Sequence, residues 1–300
     1  MSTTTTQVLT PAAQRPRSTR RAALRRFTRN RMALAGAVAL TVVVLLALLA
    51  PVVARYQPTL IDLEAIRQPP SGAHWLGTDA SGRDVFARVV YASRVSLLVG
   101  VAAALVSVTI GTLLGAVAGM ARGVLDGVIM RAADIVLSFP TIVVIIVLAG
   151  VLGPSVTMLI VAIGATHWPQ TCRVVQGVTL SLREKEYLQA ARAGGAGSWW
   201  LIRKHVLPAS LPPVIVSATI AVAQAIMLEA TLSFLGLGVQ PPQASWGNML
   251  NDAQNLTLIQ TMPWLWAPPG IAIALTVLSV NFVGDGLRDA LDPRQAKGAR

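Results

Sequence analysis

Charged side chains are scarce in this sequence: they make up 13% of its 300 residues, whereas hydrophobic side chains make up 54%. Soluble domains usually carry about 25% charged residues. The mean hydropathy is +0.61, and the apolar residues occur in long blocks rather than in short alternating or amphipathic patterns. The scarcity of charge therefore argues against an ordinary soluble domain and indicates a chain whose solvent is a lipid bilayer.

Cysteine is nearly absent, since Cys172 is the only one in the chain. A single cysteine excludes an intrachain disulfide, a redox pair and a cysteine-based metal cluster. Because it lies beside a predicted span, we interpret Cys172 as a small buried side chain.

Acidic residues are few as well: 13 Asp and Glu stand against 25 Lys and Arg, a formal net charge of +12. Such an excess could indicate nucleic-acid binding, but its placement indicates membrane topology instead. Basic residues before an apolar block are expected on the cytoplasmic side, and eight arginines lie there: Arg15, Arg17, Arg20, Arg21, Arg25, Arg26, Arg29 and Arg31. We therefore expect no nucleic-acid partner, and we interpret residues 1–31 as a basic, partly disordered cytoplasmic N-terminus.

Six apolar blocks follow and are interpreted as transmembrane helices. The first, Met32–Ala54, would be about 34 Å long as a helix, enough to cross a hydrocarbon core of about 30 Å and too long for a signal peptide. The others cover residues 95–119, 135–152 with Pro140 as an interruption, 156–171, 212–235 and 264–283. The sequence thus predicts an all-α, polytopic transmembrane helical bundle of about six spans in the cell membrane, with both termini cytoplasmic.

This topology divides the chain into regions. They are the N-terminus, the first helix with its outer loop (32–93), a core of the remaining spans (94–285) and a cytoplasmic tail (286–300). The outer segment 236–262 contains no Lys or Arg, as the positive-inside rule requires.

One cytoplasmic segment, residues 173–210, is rich in charge and too polar to span. Within it, the sequence reads as two short helices around a glycine turn. Gly194 and Gly195 can take a positive φ and end the first helix, and Ser198 is a candidate N-cap of the second. Pro208 is expected to end that second helix. A helix pair exposed in water beside a membrane offers a shallow surface to another protein.

This segment resembles the EAA loop of ABC-importer permeases, whose pattern is EAA, three residues, Gly, nine residues, Ile, one residue and Leu-Pro. Residues Gln189, Ala190, Ala191, Gly195, His205, Leu207 and Pro208 occupy these positions, and Glu186 precedes them. Gln189 replaces the family's Glu and His205 replaces its Ile, but Glu186-Tyr187 and the ending Arg-Lys-His-Val-Leu-Pro resemble the peptide-permease version. In that family the loop docks into a groove on a cytoplasmic ATPase, so the resemblance implies a coupling role for these residues.

Two further segments, His74–Leu97 and Leu228–Leu250, resemble the DppC and OppC subunits of dipeptide and oligopeptide permeases. The resemblance implies a type I ABC importer transmembrane domain with 94–285 as its permease core. It also implies as partners a second homologous permease subunit, two ABC ATPase subunits, an extracellular solute-binding protein and membrane lipid. The implied cargo is a di- or oligopeptide; nickel or another small solute is the alternative within this class.

Several catalytic motifs are missing. No G-x-x-x-x-G-K-[ST] loop occurs that could hold ATP phosphates. ATP and Mg are therefore expected on the partner subunits, and this chain is expected to be no enzyme and to carry no cofactor or metal of its own. The absence of HExxH, GxSxG and paired carboxylates at membrane depth argues against an intramembrane enzyme.

A few charges fall inside the predicted spans. Glu229 is a candidate pathway residue, because a carboxylate at the centre of a span costs about 2.5–3.5 kcal/mol and usually faces protein or water. A hydrogen bond to the bundle or to the loop after Leu235 is the structural alternative. Arg131 and Asp134, spaced i, i+3, are expected to pair on one helix face, with a pathway role as the alternative. An ion-coupled secondary transporter, the rival class, would need ion-coordinating broken helices or a run of intramembrane acids, and Asp134 and Glu229 are little support for it.

Polar residues nearer the predicted interfaces have simpler interpretations. Asp79, Arg83 and Asp84 alternate in charge and are expected to form a salt-bridged cap rather than a substrate site. His167 and Trp168 are expected to be interfacial anchors rather than a proton relay.

Overall fold

The computed structural model describes residues 26–121 and 123–291. Within these residues the regular elements are helices, and no strand occurs apart from one isolated bridge between Thr78 and Asp84. This confirms the all-α prediction. Residues 1–25 and 292–300, which include most of the two predicted cytoplasmic tails, lie outside the described residues.

The helices follow the chain in this order: α1 (Arg31–Leu48), α2 (Val85–Met120), α3 (Val124–Ser138), α4 (Thr141–Leu152), α5 (Val156–Arg183), α6 (Glu186–Ala193), α7 (Ser198–Leu201), α8 (Leu207–Phe234), α9 (Trp246–Asp252), α10 (Leu256–Thr261) and α11 (Pro263–Leu291). A π-helical turn, Ile202–Val206, joins α7 to α8. Short helical turns at Ala50–Val53 and Leu63–Ala65 lie in the segment after α1.

Among the described residues, four helical stretches are long and apolar enough to cross a membrane: α1, α2, the continuous helix Ser198–Phe234 and α11. Helices α3 and α4 together are a fifth candidate, but they are bent by 83° at their junction. The bend follows from Pro140, because the residue before a proline avoids the helical region, and Phe139 is extended there (φ −98°, ψ 136°). The helix α5 has 28 residues but is more polar than these. The count of six spans and the orientation of the termini therefore stay predictions.

Two helices are longer than the hydropathy blocks that predicted them. Helix α2 begins at Val85, inside the segment that was expected to be an outer loop, because the Asp84 carboxylate caps it by accepting the Ala87 N–H at 2.7 Å. Helix α5 continues to Arg183 instead of ending near 171. Hydropathy marks the part of a helix that suits lipid, whereas capping and packing determine where the helix ends.

The prediction that Pro208 ends a helix was wrong. The chain from Ser198 to Phe234 is one continuous helix, and Pro208 lies in the first turn of α8. The preceding π turn makes this possible: the Leu207 N–H bonds to the Ile202 carbonyl, five residues back. A proline supplies no N–H and its ring clashes with the carbonyl four residues before it, so the wider spacing of a π turn relieves the conflict. Pro212, where the apolar block begins, lies inside α8 and does not begin the helix.

The core of the bundle is formed by α2, which packs along α5 and also contacts α8. Three glycines of α2, Gly111, Gly115 and Gly119, face α5; a Cβ at Gly115 would lie 2.4 Å from the Cys172 carbonyl oxygen. Such small residues let membrane helices approach closely. The side chain of Cys172 is buried in this contact, as expected. Helix α11 contacts α1 and α8 on another side of the bundle.

Candidate functional site

The predicted helix pair is formed by α6 and the segment Ser198–Val206. Helix α6 ends in a Schellman motif, in which the Ala196 N–H bonds to the Ala191 carbonyl and the Gly195 N–H to the Arg192 carbonyl, each at 3.0 Å. Gly195 has φ +88°, so the prediction of a positive φ is confirmed there. Gly194 has φ −76°, so the prediction of a positive φ was wrong for this residue. Ser198 was predicted to be the N-cap of the second helix, but it is the first residue of α7, and Gly197 is the N-cap.

An apolar cluster fixes this pair to the ends of two membrane helices. Leu188 of α6 and Leu201 of α7 are buried with Val175 of α5 and Met120 of α2. Ala116, Ile202 and Val206 complete the cluster. Two arginines add polar contacts: Arg183 donates to the Gly119 carbonyl at 3.1 Å, and Arg192 contacts the Met120 sulfur at 3.1 Å. The helix pair is therefore packed directly against the ends of α2 and α5.

The opposite side of the pair is open. Glu186, Gln189, Ala190, Gly195 and Pro208 are exposed, whereas Ala191 and Leu207 are half-buried. A Cβ built at Gly195 would meet no atom within 4 Å. The small residues thus leave a shallow surface rather than a packed one.

His205, which stands at the family's isoleucine position, lies half-buried between two aromatic rings. Its ring centroid is 5.7 Å from that of Tyr187 and 5.4 Å from that of Trp200. The Lys204 ammonium lies 4.6 Å from the Trp200 ring, a cation–π contact. The His205–Tyr187 contact joins the π turn to α6, whereas the two contacts with Trp200 join it to α7.

The sequence reading missed the large exposed aromatics beside this surface. Trp199 is 63% and Trp200 45% exposed. Large aromatic side chains that stay exposed are enriched at protein interfaces. The dipeptide in a charged segment was the signal that could have identified them.

Glu229 is completely buried. Its carboxylate accepts hydrogen bonds from the Ser96 hydroxyl of α2 at 2.8 Å and from the Ser233 hydroxyl at 2.7 Å. Ser96 in turn accepts the backbone N–H of Trp246 at the start of α9, and Ser233 accepts that of Val239 in the loop after α8. The predicted hydrogen bonding to the bundle and its loop is therefore present, while a pathway role for Glu229 stays a prediction. We call these residues the Glu229 node.

Arg131 and Asp134 were expected to pair with each other, and this was wrong. Asp134 binds Arg173 of α5 at 2.6 Å, and Asp126 of α3 accepts a hydrogen bond from Gln176 of α5 at 2.6 Å. Because α3 packs against α5, the acids of α3 reach partners on that helix instead of on their own. Arg131 lies on the exposed side of α3.

The salt-bridged cap is confirmed in part. Asp79 binds Arg83 at 2.7 Å, as predicted, but it also binds the buried Arg88 at 2.6 Å. Arg88 continues to Asp252 of α9 at 2.9 Å. Asp84 takes no part in this network, since it caps α2 and contacts His74 at 2.9 Å. Arg88 and Asp252 were missed because they are 164 residues apart in the chain.

Comparison with known proteins agrees with this architecture. Residues 111–297, more than half of the chain, match the family described as binding-protein-dependent transport system inner membrane component. The chain belongs to this family of permeases. Residues 18–70 match a second family, the N-terminal transmembrane domain of oligopeptide transport permease C. The permease is therefore a multi-pass inner-membrane protein, as the sequence predicted.

Individual relatives align with nearly the whole permease. It is 45% identical over 269 residues to a protein of Brucella suis biovar 1 that is named a peptide permease, with 90% of this chain and 89% of the relative covered. It is 41% identical over 274 residues to the dipeptide transport system permease protein DppC of Alkalihalophilus pseudofirmus (91% and 90% covered). It is 40% identical over 276 residues to the oligopeptide transport system permease protein OppC of Bacillus subtilis (92% and 90% covered). The helix pair and, apart from Ser96, the residues of the Glu229 node lie within the first family match.

Proposed function

We propose that this permease is the membrane subunit of an ATP-driven importer for di- or oligopeptides and that its helix pair docks on an ABC ATPase subunit. The observation that carries the proposal is the two-sided character of the pair: one side is buried on α2 and α5, and the other is an open surface of small residues around Gly195. The peptide cargo is inferred from relatives that are named peptide, dipeptide and oligopeptide permeases.

In this proposal, ATP binding closes two ATPase subunits and displaces the docked helix pair. The displacement reaches α2 and α5 through the cluster around Leu188 and Leu201. It reaches α8 more directly, because Ser198–Phe234 is one continuous helix. Movement of α8 against α2 then exposes the pathway to alternate sides of the membrane. A second homologous permease subunit completes the pathway, and an extracellular solute-binding protein delivers the cargo.

The placement of Glu229 and Asp134 does not support the rival function, an ion-coupled secondary transporter. Glu229 is enclosed by serine hydroxyls, and Asp134 is bound to Arg173. Nickel or another small solute remains the alternative cargo within the importer class, because the binding protein would select the cargo in either case.

Reconstitution tests the proposal. The permease, its second permease subunit and the ATPase subunits are placed in proteoliposomes with the binding protein, and uptake of labelled dipeptides, longer peptides and Ni²⁺ is measured. We expect uptake of peptide that requires both ATP and the binding protein. Uptake driven by an ion gradient without ATP would overturn the importer proposal. ATP-driven uptake of Ni²⁺ alone would overturn the assignment of peptide as the cargo.

A further inference from the structure

A wide apolar groove lies between α1, α2, α8 and α11 and has a volume of about 730 Å³. Its walls are almost entirely aliphatic, with Leu40 and Val44 on α1, Val101 on α2 and Val222 on α8. Thr219 is one of the few polar residues there, and its hydroxyl donates to the Val216 carbonyl at 2.8 Å. Along its length the groove therefore offers almost no hydrogen-bonding groups to a polar ligand.

The groove is expected to lie within the membrane, because all four helices around it belong to the stretches that are long and apolar enough to span. Its length also suits a bilayer. The lining residues extend from 40 to 48 on α1 and from 94 to 101 on α2, which is about 10–12 Å at about 1.5 Å per residue. One leaflet of a hydrocarbon core of about 30 Å has a similar depth.

Arg94 lies at the end of the groove where α1 ends. Its Nε donates to the Ala47 carbonyl at 2.7 Å, and one terminal nitrogen donates to the Leu48 carbonyl at 3.3 Å. These bonds hold the guanidinium at the C-terminal end of α1. Arg94 is exposed, and no carboxylate among the described residues lies within salt-bridge distance of it.

We propose that this groove binds an anionic phospholipid, whose acyl chain fills the aliphatic channel and whose phosphate pairs with Arg94. A guanidinium is suited to a phosphate, since it presents several N–H donors in a plane and stays charged. Two of the guanidinium nitrogens already donate to carbonyls of α1. A phosphate bound by the remaining N–H donors would therefore be joined to the end of α1 through the Arg94 side chain. Lipid binding in this groove is independent of the cargo and of the coupling mechanism.

A lipid in this position would connect α1 to α2 and α8. Without an occupant, the four helices leave their aliphatic side chains facing an unfilled space. The charge of Arg94 favours an anionic lipid over a second permease subunit as the occupant of the groove. An apolar protein helix would leave Arg94 without a counter-charge inside the contact.

Native mass spectrometry of the purified importer complex tests the proposal. The complex is delipidated, incubated with phosphatidylglycerol or phosphatidylcholine, and the bound fraction is compared. One basic residue at an anionic surface contributes about 1 kcal/mol, so we expect about fivefold preference for phosphatidylglycerol at this site. Arg94→Gln should remove the preference and Arg94→Lys should retain most of it.

A second pair of variants tests the channel itself. Val101→Phe places a ring in the groove and should lower the retention of both lipids severalfold. Val161→Phe is the matched control, because Val161 is exposed on α5 and does not line the groove. Equal lipid retention by wild type, Arg94→Gln and Val101→Phe would overturn the proposal. A cross-link from Val101→Cys to the second permease subunit would also overturn it, since a protein would then cover the groove.

Discussion

Ser96 and Glu229 are 133 residues apart in the chain, yet the Ser96 hydroxyl donates a 2.8 Å hydrogen bond to the Glu229 carboxylate. Ser96 also accepts the Trp246 N–H, at 3.3 Å, so its hydroxyl hydrogen is directed to the carboxylate. Ser233 repeats the pattern with the Val239 N–H. The Glu229 node therefore joins α2, α8, the loop that follows α8 and the start of α9 through one buried carboxylate.

Replacing Glu229 should loosen this junction. Leaving a buried donor without its partner costs about 1–3 kcal/mol, so Glu229→Leu should clearly lower the thermal unfolding temperature of the purified permease, and Glu229→Gln should lower it less because an amide oxygen still accepts one bond. Ser96→Ala should have a smaller effect. The control is Ser181→Ala, because Ser181 is exposed and bonds only within its own helix.

Transport measurements on the same variants distinguish a structural role of Glu229 from a role in the transport pathway. If the Glu229 node is structural, loss of uptake follows loss of stability from one variant to the next. A Glu229→Gln permease of wild-type stability with no uptake would instead support a pathway role for the carboxylate.

The two ion-pair networks should differ strongly in their contribution to stability. The side chains of Arg88 and Asp79 are 6% and 7% exposed, whereas those of Arg173 and Asp134 are 52% and 47% exposed. Removing one partner of a buried pair costs about 3–5 kcal/mol, and an exposed pair contributes about 0–1 kcal/mol. Arg88→Gln should therefore destabilise the permease near the lower end of that range, because Arg83 still contacts Asp79, and Arg173→Gln should change little. Equal effects of the two substitutions in denaturant unfolding would contradict this assignment.

Sequence reasoning predicted the features that depend on local signals. The turn at Gly195 was predictable because a Schellman motif needs a residue with positive φ a fixed distance after the helix. The bend at Pro140 has a local cause as well. Hydrogen bonding of Glu229 to the bundle was predictable, but its serine partners and the Arg88–Asp252 contact were not, because only the folded bundle brings these residues together. The continuation of α8 through Pro208 was missed for a related reason: a π turn has no simple sequence signal, and tertiary packing of Ile202 and Val206 stabilises it.

The apolar anchor and the exposed surface of the helix pair should be separable by mutation. Leu201 is buried, so Leu201→Ala should destabilise the permease by about 2–5 kcal/mol through lost packing. Trp199 is 63% exposed, so Trp199→Ala should leave stability within about 0.5 kcal/mol but weaken binding of the ATPase subunits. Thermal unfolding of the permease alone and co-purification of the ATPase measure the two effects. A stable Leu201→Ala variant would show that the cluster does not hold the pair in place.

The topology can be tested with single cysteines in a Cys172→Ser background. Gln243 lies exposed in the loop after α8, and Ser198 lies exposed at the start of the long helix. These positions are at opposite ends of a stretch that is long enough to span. We expect an impermeant thiol reagent to label Gln243→Cys in intact cells and Ser198→Cys only after lysis. Labelling of Ser198→Cys from outside would reverse the topology and place the helix pair away from any cytoplasmic ATPase.

Gly195 offers the sharpest test of docking. Gly195→Asp should insert normally in the membrane, because the turn lies outside the spanning stretch of α8 and a side chain there meets no atom within 4 Å in the permease itself. It should nevertheless reduce co-purification of the ATPase subunits and ATP-driven uptake sharply, since an unpaired carboxylate would be buried in the docking contact. A non-glycine residue at φ +88° also costs about 1–2 kcal/mol of backbone strain.

Gly195→Asn separates the strain from the charge. Asparagine has nearly the same shape as aspartate and tolerates a left-handed backbone conformation. We expect Gly195→Asn to retain more ATPase binding than Gly195→Asp, and both variants to purify in amounts similar to wild type. If both variants bind the ATPase subunits and transport peptide normally, the surface around Gly195 does not contact the ATPase, and the helix pair serves only to join α5 to α8.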